Sequence, residues 1–295
     1  MHIGIAGLGR MGAAIAARLI EVGHTISVWN RSAEKAGPLV AAGASVAASP
    51  AELARQVETV ITILTDAAAI DAVYDSPSGL LSDELAGKLV IEMSTVRPEV
   101  EIALAEKVRA RGAAFVECPV SGTFGPARQG QLIGVMGADA AAAARARPIL
   151  EQLCRRLEHC GPVGAGTTMK FAINLPLMIY WQALGEALAL CRPLGIDAGR
   201  LVELFAETSG GPNVLRNRGP VVARIIESGD GGMIAFDIDG GAKDLRSILA
   251  EGKARALELP LAERTLACYE EAIQKGLGQQ DLTGLSRYWS TRNSR

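Results

Sequence analysis

The sequence predicts an α/β domain built on a parallel sheet, followed by an all-α domain that one long helix joins to it. Three observations carry this prediction. Strand-like apolar runs alternate with helix-compatible segments through the first half, and after Gly164 the strand rhythm stops and long helix-compatible stretches take over. Between the halves lies Cys160-Gly161-Pro162-Val163-Gly164-Ala165-Gly166, where glycine and proline cluster as they do in a linker. Domains over 1–163 and 164–295 follow.

The strand-like runs are 3–6, 25–29, 60–64, 89–93, 114–117 and 131–136. Helices are expected between them, for example over 49–56 and 98–111, and the alanine-rich 140–146 is a good helix former. Such alternation makes a parallel sheet with helices on both faces, and ligands bind beyond the carboxyl ends of the strands. Residues that carry chemistry are therefore expected just after each run. In the second half the helix-compatible segments are 168–194, 198–208, 237–258 and 261–275.

At 295 residues the chain is long enough for two cores, and 49% hydrophobic with 21% charged residues is a globular composition. Thirty Lys and Arg against 32 Asp and Glu leave a net charge of −2, with no basic block interleaved with aromatics. Neither a nucleic acid nor an anionic membrane is expected as partner. The cysteines, Cys118, Cys154, Cys160, Cys191 and Cys268, form no CxxC pair, and His2, His24 and His159 are scattered. This pattern predicts a reducing compartment with neither a metal site nor a disulfide framework, and structural or solvated roles for His24 and His159. No basic, apolar leader precedes the first strand, so a cytoplasmic protein is expected. The most apolar stretch, 171–191, is interrupted by Asn174, Gln182 and Glu186 and reads as a buried helix, not a membrane span.

The first run ends in Gly7-Leu8-Gly9-Arg10-Met11-Gly12, which leads into Ala13-Ala14-Ile15-Ala16 and a helix. A strand that turns tightly into a helix aims backbone N–H groups and the positive helix end at a pyrophosphate. Gly7 permits the turn, Gly9 the approach of the phosphates, and Gly12 the close packing of helix on strand. With its βαβ context this is the fingerprint of a dinucleotide-binding Rossmann domain. The second run ends in Trp29-Asn30-Arg31-Ser32, where an NAD-specific site offers an acid to the ribose 2′-hydroxyl. Asn30, Arg31 and Ser32 offer donors instead, which suit a 2′-phosphate, so NADP(H) is the expected cofactor. The other reading of Arg31 is a solvated loop residue beside a site that takes either cofactor.

Gly164-Ala165-Gly166-Thr167-Thr168-Met169-Lys170, followed by Asn174, is the most reactive-looking cluster of the second half. Lys170 and Asn174, four apart, share one helix face. An amine that exchanges a proton, with an amide to orient a substrate, suits chemistry at a carbonyl or carbinol carbon. Burial would lower the amine's pKa towards the working range. Spacing alone favours a solvated lysine at a helix start.

Four motifs in order settle the choice by resemblance. These are the loop 7–12; Glu117-Cys118-Pro119-Val120-Ser121-Gly122, similar to D-A-P-V-S-G-G; 164–174, similar to G-x-G-x-x-x-K-x-x-x-N; and Phe236 with Lys243-Asp244-Leu245, similar to F-x6-K-D-L. The chain resembles the β-hydroxyacid dehydrogenase family, which includes 3-hydroxyisobutyrate dehydrogenases, tartronate semialdehyde reductases and NADPH-dependent glyoxylate/succinic semialdehyde reductases. The resemblance implies that Lys170 is the catalytic general acid/base with Asn174 its partner. It also implies that Leu64, Thr65 and Thr95 border the cofactor and that Lys243, steadied by Asp244, reaches it. Ser121 and Gly122, with Thr123 beside them, would hold a substrate carboxylate. A small carboxylate-bearing substrate and a homodimer or homotetramer are implied as partners.

Three positions depart from the family pattern. Thr123 replaces a second glycine, Cys118 a small alanine, and Gly134 interrupts an apolar run. They mark either drift in packing or a pocket altered for another substrate size. Arg216 and Arg218 could bind a second anionic group or be solvated. An imine reductase on the same fold, or a dinucleotide-binding protein without turnover, are the alternatives to a dehydrogenase; Lys170 speaks against both.

Overall fold

The computed structural model describes residues 1–292, and the chain forms two compact units, Met1–Ala172 and Ile173–Arg295. The first contains, in order, β1 (His2–Ala6), α1 (Arg10–Glu21), β2 (Thr25–Trp29), α2 (Gly37–Ala41), β3 (Ser45–Val46), α3 (Pro50–Gln56), β4 (Thr59–Thr62) and α4 (Ala67–Tyr74). It continues with β5 (Leu89–Glu92), α5 (Pro98–Ala110), β6 (Ala114–Glu117), β7 (Val120–Ser121), α6 (Phe124–Arg128), β8 (Leu132–Gly137), α7 (Ala140–Leu150) and β9 (Cys154–Gly161). The strands form one sheet in the order β3-β2-β1-β4-β5-β6-β8-β7, with β9 on β8. Its first six members pair in parallel, which is the doubly wound order of a Rossmann domain.

Alternation along these strands divides the core between the two faces of the sheet. Ile5, Ile61, Ile91 and Val116 belong to one apolar cluster, with Leu19 of α1 and Ile149 of α7. Val60, Val90 and Phe115, one residue out of phase, belong to another with Leu53 of α3, Ile70 of α4 and Leu104 of α5. Burying each such side chain stabilises the fold by about 1.5–3 kcal/mol. Helix starts are set by local side chains: Ser49 accepts from Glu52 N–H at 3.1 Å while Glu52 accepts from Ala48 N–H at 2.7 Å, and Asp66 and Asp139 cap α4 and α7.

The expected parallel sheet holds through β6, and the last of the foreseen runs departs from it. β8, the run foreseen over 131–136, is antiparallel to β6 and to β7. β7 runs on in the direction of β6, both being antiparallel to β8, so the chain has only residues 122–131, with a five-residue helix, in which to return. A parallel return needs a crossover of a dozen or more residues, usually a full helix. β9 was not foreseen, since Cys154-Arg155-Arg156-Leu157-Glu158-His159 has two adjacent charges where alternation would be read. Pairing with β8 makes it a strand all the same, and the expected linker begins in its last residues.

The second unit is helical: α8 (Ala165–Cys191), which begins in the first unit, then α9 (Ala198–Glu207), α10 (Asn213–Ser228), α11 (Ile238–Ala254), α12 (Pro260–Gln274) and α13 (Gly284–Thr291). Met178, Trp181, Leu215, Leu245, Tyr269 and Leu285 lie at its core. α10 contains Gly219-Pro220, a pair that punctuates turns, which is why no helix is expected there from the sequence. The compact units meet within α8, whereas the sequence sets the domain limit ahead of that helix at 163/164. Bonds from the start of α8 to the sheet, described below, hold its first turns to the first unit. Pro176 has no N–H to give to the carbonyl of Ala172, the last residue of that unit. Among the described residues no helix is long and apolar enough to cross a membrane, and no cluster of His, Cys, Asp and Glu could hold a metal.

Candidate functional site

Because β1, β2, β4, β5 and β6 run in parallel, the segments after them emerge along one edge of the sheet. The three glycines of the first segment differ in what they answer to. Gly7 has φ +100°, donates its N–H to Trp29 C=O at 3.0 Å, and a Cβ there would lie 2.3 Å from the Ile63 carbonyl oxygen. A Cβ on Gly12 would lie 1.8 Å from the carbonyl oxygen of Gly7. Gly9 caps α1 with φ −68°, and a Cβ on it would meet nothing within 4 Å. Neither backbone conformation nor packing asks for glycine at that position. An open cradle at the N-terminus of a 12-residue helix with no acid in its first turn fits a pyrophosphate. Leu8 is buried, Arg10 exposed and Met11 half-buried.

Asn30 has its side chain engaged within the protein. Its Oδ1 accepts from Leu8 N–H at 2.8 Å and its Nδ2 donates to Ser32 C=O at 2.9 Å, so it ties the glycine loop to the end of β2. Arg31 is exposed and Ser32 half-buried beside it. The next two segments are tied in the same way. Ser94 Oγ accepts from Leu64 N–H at 2.7 Å, and Ser94 N–H donates to Glu92 Oε1 at 2.6 Å. Glu92 Oε2 accepts from the Thr62 hydroxyl, which also bonds Tyr74. This chain fixes the backbone just before Thr65 and Thr95, of which Thr65 is exposed and Thr95 half-buried.

Burial governs the acids beneath these loops. Glu92 is fully buried and its carboxyl is pushed up to about 7, against the pull of its bonds from Ser94 and Thr62. Glu101 of α5 is also fully buried, and neither of its oxygens has a hydrogen-bond partner. Burial first, then the charges of Glu92 and Glu117, raise it well above the carboxylate range.

Ser121 ends β7, opposite Ile133 of β8, and Gly122 follows with φ +126°, where a side chain would be strained and would press on Leu132. Thr123 is half-buried with its carbonyl bonded to Ala127 N–H. Lys170, in the second turn of α8, is only 8% exposed, which a solvated lysine is not. Ahead of it, Glu117 at the end of β6 accepts from the N–H groups of Gly164 at 2.6 Å and Gly166 at 2.8 Å, and from the Thr167 hydroxyl at 2.7 Å.

In the second unit Asn174 is buried and donates through Nδ2 to Asp244 Oδ2 at 2.9 Å. Asp244 Oδ1 lies 2.8 Å from Nζ of Lys243, which is 35% exposed. Arg218 is engaged with buried Asp281 at 2.6 Å, and Arg216 with the Ala206 carbonyl and Asn213. Both arginines thus have protein partners.

Glu92, Ser94 and Glu117 were not singled out from the sequence. The available signal was an acid as the last residue of an apolar parallel strand, as in Leu89-Val90-Ile91-Glu92 and Ala114-Phe115-Val116-Glu117. Two of the three departures explain each other. A Cβ on Gly134 would lie 3.1 Å from the sulfurs of both Cys118 and Cys154 and 2.8 Å from Leu157, so the missing side chain makes room for the two thiols. Burial raises both thiols, Cys154 to about 12.

Residues 2–161 match the model of the NAD-binding domain of 6-phosphogluconate dehydrogenase, and 164–289 that of the NAD-binding domain of NADP-dependent 3-hydroxyisobutyrate dehydrogenase. The chain is 32% identical to glyoxylate/succinic semialdehyde reductase 1 of Arabidopsis thaliana over 97% of each chain. It is 36% identical to 3-hydroxyisobutyrate dehydrogenase of Pseudomonas aeruginosa over 88% of each. Among solved structures, 3-hydroxyisobutyrate dehydrogenase from Salmonella typhimurium superimposes with a TM-score of 0.87 at 26% identity, covering 97% of this chain and 99% of that one. Sheet order, glycine loop and buried lysine agree with these matches, and the chain belongs to the β-hydroxyacid dehydrogenase family of nicotinamide-dinucleotide-dependent oxidoreductases.

Proposed function

We propose that this oxidoreductase uses NADP(H) to interconvert a short β-hydroxy acid and its semialdehyde or keto form, with Lys170 as general acid/base. The observation that carries the proposal is the burial of Lys170 at 8% exposure, in a helix whose start is bonded to the strand that leads into Ser121 and Gly122. A nicotinamide dinucleotide, when bound, supplies or accepts the hydride. Residues 7–12, with Leu64, Thr65 and Thr95, would hold it; Arg31 and Ser32 offer donors to a 2′-phosphate, and Lys243 offers a further cation.

The protein's own part is binding and proton transfer. The Ser121 hydroxyl and the Gly122 N–H are donors suited to a carboxylate. In reduction, the Lys170 ammonium gives its proton to the carbonyl oxygen of the substrate; in oxidation, the neutral amine takes the hydroxyl proton. With Nδ2 of Asn174 held by Asp244, the orientation of the amide is fixed, and its Oδ1 faces away from the acid.

The test is NADPH and NADH oxidation against glyoxylate, succinic, methylmalonate and tartronate semialdehydes and a cyclic imine. The expected result is turnover of at least one carboxylate-bearing aldehyde with NADPH preferred, and a loss of kcat of about 10²–10⁴-fold in Lys170→Ala. Unchanged turnover in that variant, or a preference for the imine, would overturn the proposal.

A further inference from the structure

The Lys170 helix is held by an acid that lies outside it in sequence. Glu117 is fully buried, and its two oxygens take three donors from the start of α8: Gly164 N–H, Gly166 N–H and the Thr167 hydroxyl. Thr167 is itself fully buried, and Lys170 follows it by three residues, about one helical turn. Two further glycines make room for this arrangement. A Cβ on Gly137 would lie 2.2 Å from Glu117 Oε1, and one on Gly166 would lie 2.5 Å from the Val135 carbonyl oxygen.

The backbone of Glu117 has a second attachment. It pairs with Gly137 of β8, and the next residue, Cys118, donates its N–H to Glu92 C=O at 2.6 Å. From there Pro119 and Val120 lead directly to Ser121, with the Pro119 carbonyl accepting from Val135 N–H at 3.1 Å. The same residue thus ends the strand that feeds the Ser121–Gly122 loop and fastens the helix that carries Lys170. An acid needed only to cap a helix would lie next to it in sequence, as Asp139 does for α7.

We infer that Glu117 is a positioning residue for the reaction: its carboxylate sets the distance between the Lys170 amine and the loop that receives the substrate carboxylate. The inference rests on the role proposed for Lys170. A proton-transfer group needs its partner within hydrogen-bond reach, and a displacement of about 1 Å can cost on the order of 10²-fold in rate. Glu117→Gln keeps the shape and the oxygen that takes the two N–H groups, but its amide nitrogen can only donate to the Thr167 hydroxyl, so that bond reverses and the negative charge that draws all three donors is lost. Thr167→Val removes one bond and leaves the two from the backbone.

The experiment measures kcat and KM for the preferred aldehyde, the Kd for NADPH and the thermal midpoint, for the unaltered chain, Glu117→Gln, Thr167→Val and Thr167→Ser. The expected result is kcat lower by about tenfold in Glu117→Gln and about threefold in Thr167→Val, with Kd for NADPH within about twofold of unaltered. Thr167→Ser, which keeps the hydroxyl, should restore kcat. Should Glu117→Gln not fold, the Thr167 pair decides alone. Rates per folded molecule that stay within about twofold in every variant would overturn the inference while leaving Lys170 in its role. Full activity of Lys170→Ala would overturn the reading of Lys170 and this inference with it.

Discussion

Asn174 and Asp244 are joined inside the second unit by one hydrogen bond of 2.9 Å, and the other oxygen of Asp244 pairs with Lys243 at 2.8 Å. A single buried carboxylate therefore engages two residues that we propose to meet different partners, Asn174 the substrate and Lys243 the cofactor. Asp244→Ala leaves the buried amide of Asn174 without its acceptor, which costs about 1–3 kcal/mol. It should also lower kcat and raise the KM for NADPH together. Urea denaturation beside steady-state kinetics checks this; a change in stability with both kinetic constants unmoved would refute it.

Asn30 and Arg31, adjacent in sequence, should separate cleanly in mutants. Asn30→Ala removes the bonds to Leu8 N–H and Ser32 C=O that shape the glycine loop, so the Kd should rise about tenfold for NADH and NADPH alike. Arg31→Ala should weaken NADPH alone, since only that cofactor carries the 2′-phosphate. Titration of protein fluorescence with each cofactor distinguishes them, and equal weakening of both by Arg31→Ala would count against a phosphate contact.

The acids beneath the cofactor loops make stability depend on pH. Folded Glu92 keeps its proton up to about pH 7, whereas the unfolded chain releases it near the ordinary value of 4.5. The folded state binds the extra proton between these values, so this contribution is complete below 4.5 and is lost as pH rises to 7. Glu101, raised in the same direction by burial, extends the loss upward. Relative to the unaltered chain, Glu92→Gln should gain stability across that window, by on the order of 3 kcal/mol, and Glu101→Gln should gain in the same sense. Denaturation midpoints from pH 5 to 8 measure the gap; one that stays constant means that Glu92 titrates normally.

Gly134, Cys118 and Cys154 form a packing unit. Gly134→Ala places a methyl group 3.1 Å from both sulfurs and 2.8 Å from Leu157, an overpacking that costs about 1–3 kcal/mol. Adding Cys118→Ala should recover part of that loss, because one of the crowding atoms is removed. A double-mutant cycle in urea reads the coupling, and strictly additive effects would show the positions to be independent.

The sequence made the architecture legible wherever periodicity was strong. The six apolar runs, the change of rhythm after Gly164 and the long entering helix could all be read, because alternation and helical spacing are local properties. The direction of β8 could not, since it depends on β7 prolonging the run of β6 and leaving few residues for the return. β9 escaped for a related reason: Arg155 and Arg156 hide a strand that its pairing with β8 creates. At the site, Gly7 and Gly12, whose backbones the strand–helix corner constrains, could be named in advance, and resemblance singled out Lys170 as a candidate. The residues that fix the backbone around the site, Glu117 at the Lys170 helix and Ser94 and Glu92 at the segments after β4 and β5, could not, because their significance lies in partners 2 to 50 positions away. Arg218 shows the converse: an attractive cation for a ligand is engaged by an acid 63 residues further on.

Of the three glycines in the opening loop, only Gly9 is free of any demand made by the fold. Gly7 and Gly12 would have to persist in any descendant that kept this strand–helix corner, whatever it came to bind. A lineage that gave up its dinucleotide could let position 9 drift without losing its shape. Side chains at that one position, in chains that retain the other two glycines, are thus a signature by which a retired enzyme could be told from a working one before any assay.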